Sequence, residues 1–254
     1  MQKRPSFFQQ NGLTLIEIMI AMLLGLFLIG GIFQIFLGAK QSYRVQEAMS
    51  RLQENGRFAM QTLSRDIRKA DYRACPSMPR ILQGNGSGGI SGVNAEKAPT
   101  KPMAADTITV NWQEDIDLCG PTAAVPKNAF YGIEKSSDGQ LFLMQGITQL
   151  VEGVENLQIV YGVDTNSDFV PDYYSPAFAT VADAKWAQVV SVRVSLLLRT
   201  LDDNIASEPL PYTFNGVTGT DTYDPITGLV NNPATDRRIR RVFTTTIALR
   251  NRLK

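Results

Sequence analysis

Apolar residues fill positions 13–37 almost without interruption. From Ile18 to Phe33 no polar side chain occurs; Gln34 breaks the run, and Ile35, Phe36 and Leu37 continue it. A helix apolar on every side has no face to turn to water. The stretch is roughly 25 residues, about 37 Å as an α-helix, and a hydrocarbon core is about 30 Å thick. It reads as a membrane span. The pattern then changes without a break. Ala39 to Tyr72 contains no proline, and Val45, Met49, Leu52, Gly56, Ala59, Leu63 and Ile67 recur at steps of three and four. That is one apolar stripe on an amphipathic helix, with Arg44, Glu47, Arg51, Glu54 and Arg57 on its other faces. The helix is expected from about Leu13 to Tyr72, close to 90 Å at about 1.5 Å per residue, with Pro76 and Pro79 ending it. The stripe is expected to pack under a C-terminal domain; a coiled-coil partner would use the same face, but three heptads are marginal for one. Gly25, Gly30, Gly31, Gly38 and Gly56 weaken a helix. In the apolar part they allow close helix approach or local unwinding, or are simply tolerated.

Beyond a loop rich in Gly, Ser and Pro (83–102), the period shortens toward two. Asp106–Trp112, Gln140–Ile147, Val154–Val163, Ala187–Arg199 and Arg240–Arg250 carry β-branched residues and partial alternation. One long helix followed by a run of strands predicts an α+β fold, the helix packed on an antiparallel sheet.

Composition narrows the chemistry. The 254 residues, 44% of them hydrophobic, allow one or two domains. Lys plus Arg is 25 against 24 for Asp plus Glu, a net charge of +1, so no global excess points to nucleic acid. There is no histidine, which removes Ser-His-Asp and Cys-His nucleophiles and every His-ligated metal site. An enzyme is not expected. Cys75 and Cys119 are the two cysteines. In an exported domain an even count reads as one disulfide, closing roughly 45 residues and worth about 3–4 kcal/mol in the chain-entropy model; in a reducing compartment they would be two buried thiols. Gly84, Gly86 and Gly89 satisfy G-x-G-x-x-G but lack the flanking strand and capped helix that dinucleotide binding requires. Ser87 has Asn85 where a nucleophile elbow needs Gly.

One acid sits near the start of the apolar run. Glu17 has no base for a dozen residues on either side, and an intramembrane carboxylate usually has a partner or a function. The residues before it are short and polar: Met1 to Gly12 carry Lys3 and Arg4, and Gly12 abuts "LTLIEIMIAML". A cleaved secretory signal has a shorter apolar core and a small-residue site behind it, and neither is present. Gly12, "TLIE" and the run behind them resemble the signal of type IV prepilins and pseudopilins. The resemblance implies cleavage between Gly12 and Leu13 on the cytoplasmic side, retention of the apolar segment, and N-methylation of Leu13. Most members have Phe where Leu13 stands. Glu17 then falls at the fifth mature position, where the family has its glutamate, and in a filament it would meet the Leu13 amine of a neighbour or of its own chain. A Glu at the interface reaching to water is the plainer alternative. The bases flanking the span do not orient it clearly; the cysteine pair and the prepilin resemblance place the C-terminal part outside.

"QENGRFAMQTLSRDIRKADYRAC", "VEGVENLQIVYGVDTN", "VVSVRVSLLLRT" and "RRVFTTTIALRNR" further resemble the PilW type of minor pilin, over most of the chain except around 76–105 and 202–236. The implied organisation is a leader (1–12), a membrane and filament-core helix (13–38), its amphipathic continuation (39–74) and a periplasmic β-rich domain (75–254). The implied role is a low-abundance subunit that primes pilus assembly and caps the tip. Its partners would be other minor pilins, the major pilin, the prepilin peptidase and the inner-membrane assembly platform. Rival readings are a minor pseudopilin of type II secretion, with the same signal and helix, and a membrane-anchored periplasmic binding domain.

Two further clusters carry expectations. Asp164, Asn166, Asp168 and Asp172 alternate, with Val170 between them. Oxygen ligands at steps of two with a backbone carbonyl suit Ca²⁺, although Phe169 and Ser175 stand where an EF-hand loop has Gly and Glu. An Asx-rich turn is the plainer reading; no cofactor is required. Arg237, Arg238, Arg240 and Arg241 surround Ile239. The patch reads as a solvated or edge-protecting stretch of strand rather than a DNA contact, and a nucleic-acid partner is not expected.

Overall fold

The computed structural model describes residues 12, 14–74, 89–95, 104–115, 124–178, 185–219, 222–223, 230–231 and 236–252. The chain divides into two compact units, Met1–Gln46 and Glu47–Lys254. A single helix, α1 (Leu15–Ile67), begins in the first and ends in the second.

In the first unit α1 is long and apolar enough to cross a membrane. Its large side chains are bare: Phe27 is 84% exposed, Ile35 74% and Leu23 66%. Among the described residues of the unit, nothing covers them.

In the second unit α1 buries Leu52, Gly56, Ala59, Thr62, Leu63, Asp66 and Ile67. The apolar stripe read from the sequence is this face. Thr62 and Asp66, polar and therefore invisible to a hydrophobic period, are buried with it. The helix stops at Ile67, before Tyr72 and before any proline. Its hydrogen bonds shorten to three-residue steps, Lys69 N–H to Asp66 O at 3.0 Å and Ala70 N–H to Ile67 O at 3.1 Å. Asp71 then turns left-handed, with φ 59°. Its N–H leaves the helix for the Asn111 carbonyl at 3.1 Å, so tertiary pairing sets the end.

The expected single sheet is two. The first is a meander of β1 (Ile90–Val93), β2 (Thr107–Asp115), β3 (Ala124–Lys135), β4 (Leu141–Gln145) and β5 (Thr148–Glu152), in that order and antiparallel throughout. The second includes β6 (Val154–Val163), β7 (Tyr173–Ser175) and β8 (Val189–Arg199). Two-residue to three-residue strands follow as ribbons: β9 (Tyr212–Phe214) with β10 (Val217–Gly219), and β11 (Thr222–Tyr223) with β12 (Val230–Asn231). The last strand, β13 (Arg240–Ala248), completes the second sheet in the order β13-β8-β6-β7. β3 is absent from the sequence reading because Pro126, Asn128 and Gly132 mask a strand that its neighbours β2 and β4 impose.

The core lies between helix and sheets. Leu63 and Ile67 of α1 join Ile108 of β2, Leu143 of β4, Leu157 and Ile159 of β6, and Val194 and Leu196 of β8 in one apolar cluster. Each fully buried Leu or Ile contributes about 1.5–3 kcal/mol relative to exposure. Asp106 stitches the sheets together. Its N–H donates to Leu157 O at 2.8 Å, and its carboxylate accepts Ile159 N–H at 2.8 Å and Ala95 N–H at 3.1 Å.

Candidate assembly site

The apolar helix opens on a cap. Thr14 precedes the first helical residue, and its hydroxyl accepts the Glu17 N–H at 3.3 Å while its carbonyl accepts the same N–H at 3.1 Å. Thr14-x-x-Glu17 has the spacing of a capping box, which the sequence reading took only as part of a family signature. The local rule that finds Thr14 is a Thr three residues before a Glu at the head of an apolar run. The cap places Glu17 in the first turn, where the partial positive charge of the helix N-terminus favours a carboxylate by about 0.3–1 kcal/mol. Gly12 is exposed, and a Cβ there would meet nothing within 4 Å. Leu13, Cys75 and Cys119 lie outside the described residues, as do residues 1–11, Pro76, Pro79, Gly84, Gly86 and Ser87.

The other end of α1 is anchored by polar contacts. Asp66, 2% exposed, accepts the Tyr131 hydroxyl at 2.6 Å and Gln145 Nε2 at 2.8 Å on one oxygen. Lys69 Nζ lies 3.0 Å and Arg65 Nε 3.3 Å from the other. Burial alone would raise the Asp66 carboxyl; the Tyr131 hydrogen bond, Lys69 and Arg65 outweigh it and hold the group below the usual carboxylate range. Burial, then the facing Asp66 carboxylate, pushes the Tyr131 hydroxyl well up, so it stays a donor. Gly56 faces the Phe243 ring of β13, where a Cβ would collide with the tip of the ring. This is why a costly helix glycine sits there. Asp71, just past the helix, pairs with buried Arg252, whose guanidinium also donates to the carbonyls of Trp186 and Val189.

The acidic loop after β6 holds itself. Asp164 accepts the N–H groups of Asn166 (3.1 Å), Ser167 (2.7 Å) and Phe169 (2.8 Å). Asp168 accepts Val170 N–H at 2.8 Å and Asn166 Nδ2 at 3.1 Å. Asp172 accepts the N–H and hydroxyl of Thr165 at 2.7 and 2.6 Å, which hold its carboxyl below the usual range. This is the Asx-turn arrangement. Among the described residues no group of three or more His, Cys, Asp or Glu is placed to hold a metal ion.

Of the two readings from sequence, a solvated or an edge-protecting stretch, the solvated one does not hold for Arg240. Arg240 has a side chain only 3% exposed and forks onto Glu155 at 2.6 and 3.1 Å, with Asp236 beside it. Burial opposes its charge, but Glu155 and Asp236 raise its pKa above the ordinary value. Arg238 donates to the carbonyls of Thr200 and Leu201, and Arg237 to Asn204. Arg241 stands exposed. The patch is spent mostly on tying β13 to the sheet, because Glu155 on β6 comes into register only in the tertiary fold.

Residues 132–251, from β3 through β13, match the model of Type IV Pilus-assembly protein W. Residues 8–33 match the Prokaryotic N-terminal methylation motif. No curated relative matches the chain. Among solved structures, a type IV-like pilin from Thermus thermophilus is similar at TM-score 0.44 and 14% identity, over 79% of this chain and 98% of that one. The methylation-motif match ahead of an apolar helix, together with the PilW match over the C-terminal strands, makes this chain similar to type IV prepilins. The C-terminal likeness is to the PilW type, a structural rather than an enzymatic family.

Proposed function

We propose that this chain is a minor subunit of a type IV pilus that takes part in initiating assembly and stands in the tip complex. The observation that carries the reading is the methylation-motif match over residues 8–33; it is supported by Glu17 standing in the first turn of a helix whose apolar surface is bare. In this reading the peptidase cuts between Gly12 and Leu13 at the inner membrane. The new amine, on Leu13, is four residues before Glu17 along the chain. An unpaired carboxylate in lipid is costly, and a paired one much less so. Pairing with the amine of an adjacent subunit therefore favours docking over dispersal, and the Thr14 cap fixes the Glu17 backbone in the first turn. The PilW match over the C-terminal part favours a pilus over a type II secretion complex. Cys75 and Cys119 would close one disulfide in the oxidising compartment.

Intact mass of the protein from an envelope fraction, with and without the prepilin peptidase, tests the reading. The expected species starts at Leu13, carries one added methyl and appears only with the peptidase. A species still starting at Met1 in the presence of the peptidase overturns it.

A further inference from the structure

The two sheets end differently. In the first, β1 has four residues and β5 closes on Glu152; in the second, β7 has three residues. β13 is the exception. It runs for nine residues, pairs with β8 along its whole length, and among the described residues has no strand on its other side. Val242–Ala248 reads VFTTTIA, with no charge and no proline. Exposed edges are ordinarily blunted by a charge, a proline, a bulge or brevity. Beyond Arg241 this edge has none of them, and its Val, Phe, Thr and Ile suit a strand.

A groove lies between the flank of α1 and β13. It has a volume of about 610 Å³ and is lined by Phe58, Met60, Gln61, Arg65 and Arg68 of α1 and its C-terminal turn, with Thr245 of β13 opposite. Phe243, Thr245 and Ile247 form the less exposed face of β13. The flank of α1 above the groove is unfilled: Phe58 is 50% exposed, and Arg68 is exposed. Among the described residues that line the groove there are two arginines and no carboxylate.

We infer that the β13 edge and this groove form a β-augmentation site, which takes one extended segment of a different pilin subunit. The segment adds a fifth strand beside β13 through main-chain hydrogen bonds, and its alternate side chains point into the groove. Those side chains are apolar against Phe58 and Met60, and carboxylates against Arg65 and Arg68. A second copy offering its own β13 edge does not fit, because VFTTTIA carries no carboxylate. The site rests on the proposed pilus role, since it needs a neighbouring subunit.

The test is photo-crosslinking of the full chain in pilus-forming cells. A benzoylphenylalanine replaces Phe58 or Thr245, and in a separate control Phe27 of the apolar helix. The expected result is a crosslink from positions 58 and 245 to one acidic, extended segment of another pilin, mapped by mass spectrometry. Arg68→Glu is expected to lower the crosslink yield by about tenfold, the size of one charge-assisted hydrogen bond, and Arg68→Lys to restore most of it. Crosslinks from Phe27 but none from 58 or 245 overturn the augmentation site and leave the pilus role standing. Crosslinks from none of the three positions overturn both. Crosslinks from 58 or 245 to a second copy of this chain, to lipid or to a protein that is not a pilin also overturn the site.

Discussion

The two halves of α1 share one helix and two solutions to the same problem. Before Gln46 the apolar side chains encircle the helix and are bare, Phe27 at 84%. After Glu47 they narrow to a stripe, and the stripe is buried, Leu63 and Ile67 completely. An apolar surface that surrounds a helix cannot be covered by one domain on one side. Such a surface suits lipid or other apolar helices. A stripe needs only one neighbour, and the sheets of the same chain supply it. The contrast teaches that the first half is built for what lies outside the chain, and the second for the sheets of its own unit.

The comparison breaks most severely if the buried charges of the second unit are disturbed. Arg240→Ala leaves Glu155 buried without its fork, and is expected to cost about 3–5 kcal/mol, read by chemical denaturation of the full chain in detergent. A loss below about 1 kcal/mol would mean that the arginines are solvated after all. Gly56→Leu comes next, at about 1–3 kcal/mol, because the new side chain meets the Phe243 ring. Combining it with Phe243→Ala is expected to recover part of that loss, and strict additivity would show that the two do not touch.

Acid sharpens the same contrast. Asp66 is held below its usual pKa of 3.8 in the folded state. The stability it contributes is therefore present above about pH 4 and is lost as pH falls through the lower folded value. Asp66→Asn is expected to flatten this acid limb and to lower stability at neutral pH by about 1–3 kcal/mol through the weakened Tyr131 and Gln145 contacts. An unchanged acid limb would count against the network. The smallest effect belongs to the first half. Phe27→Ala is expected to move the unfolding midpoint in detergent by less than about 0.5 kcal/mol while reducing the amount of this subunit in sheared pili. A large loss of stability would show that residues before Gln46 are part of the folded domain.

Long, strongly periodic features were legible. The apolar run, the stripe from Leu52 to Ile67 and the strands around β6, β8 and β13 each carry a period that survives any tertiary arrangement, because burial on one face demands it. Glu17 was legible for another reason, being a lone acid in an apolar run. The end of α1 was not, since Asp71 leaves the helix for a carbonyl on β2. Nor was β3, whose own residues favour a turn. The burial of Asp66 and Arg240 escaped because polar residues carry no hydrophobic signal, and their partners lie 65 and 85 residues away along the chain.

Sequence alone determined that one helix would be apolar on all sides and then on one, that strands would follow it, and that an acid would stand at its head behind a Gly. These follow from local periodicity and from the cost of a charge in an apolar run. The division into two sheets, the pairing of Asp66 with Tyr131 and of Arg240 with Glu155, and the open edge of β13 were decided by the tertiary structure, because each depends on which distant segments meet.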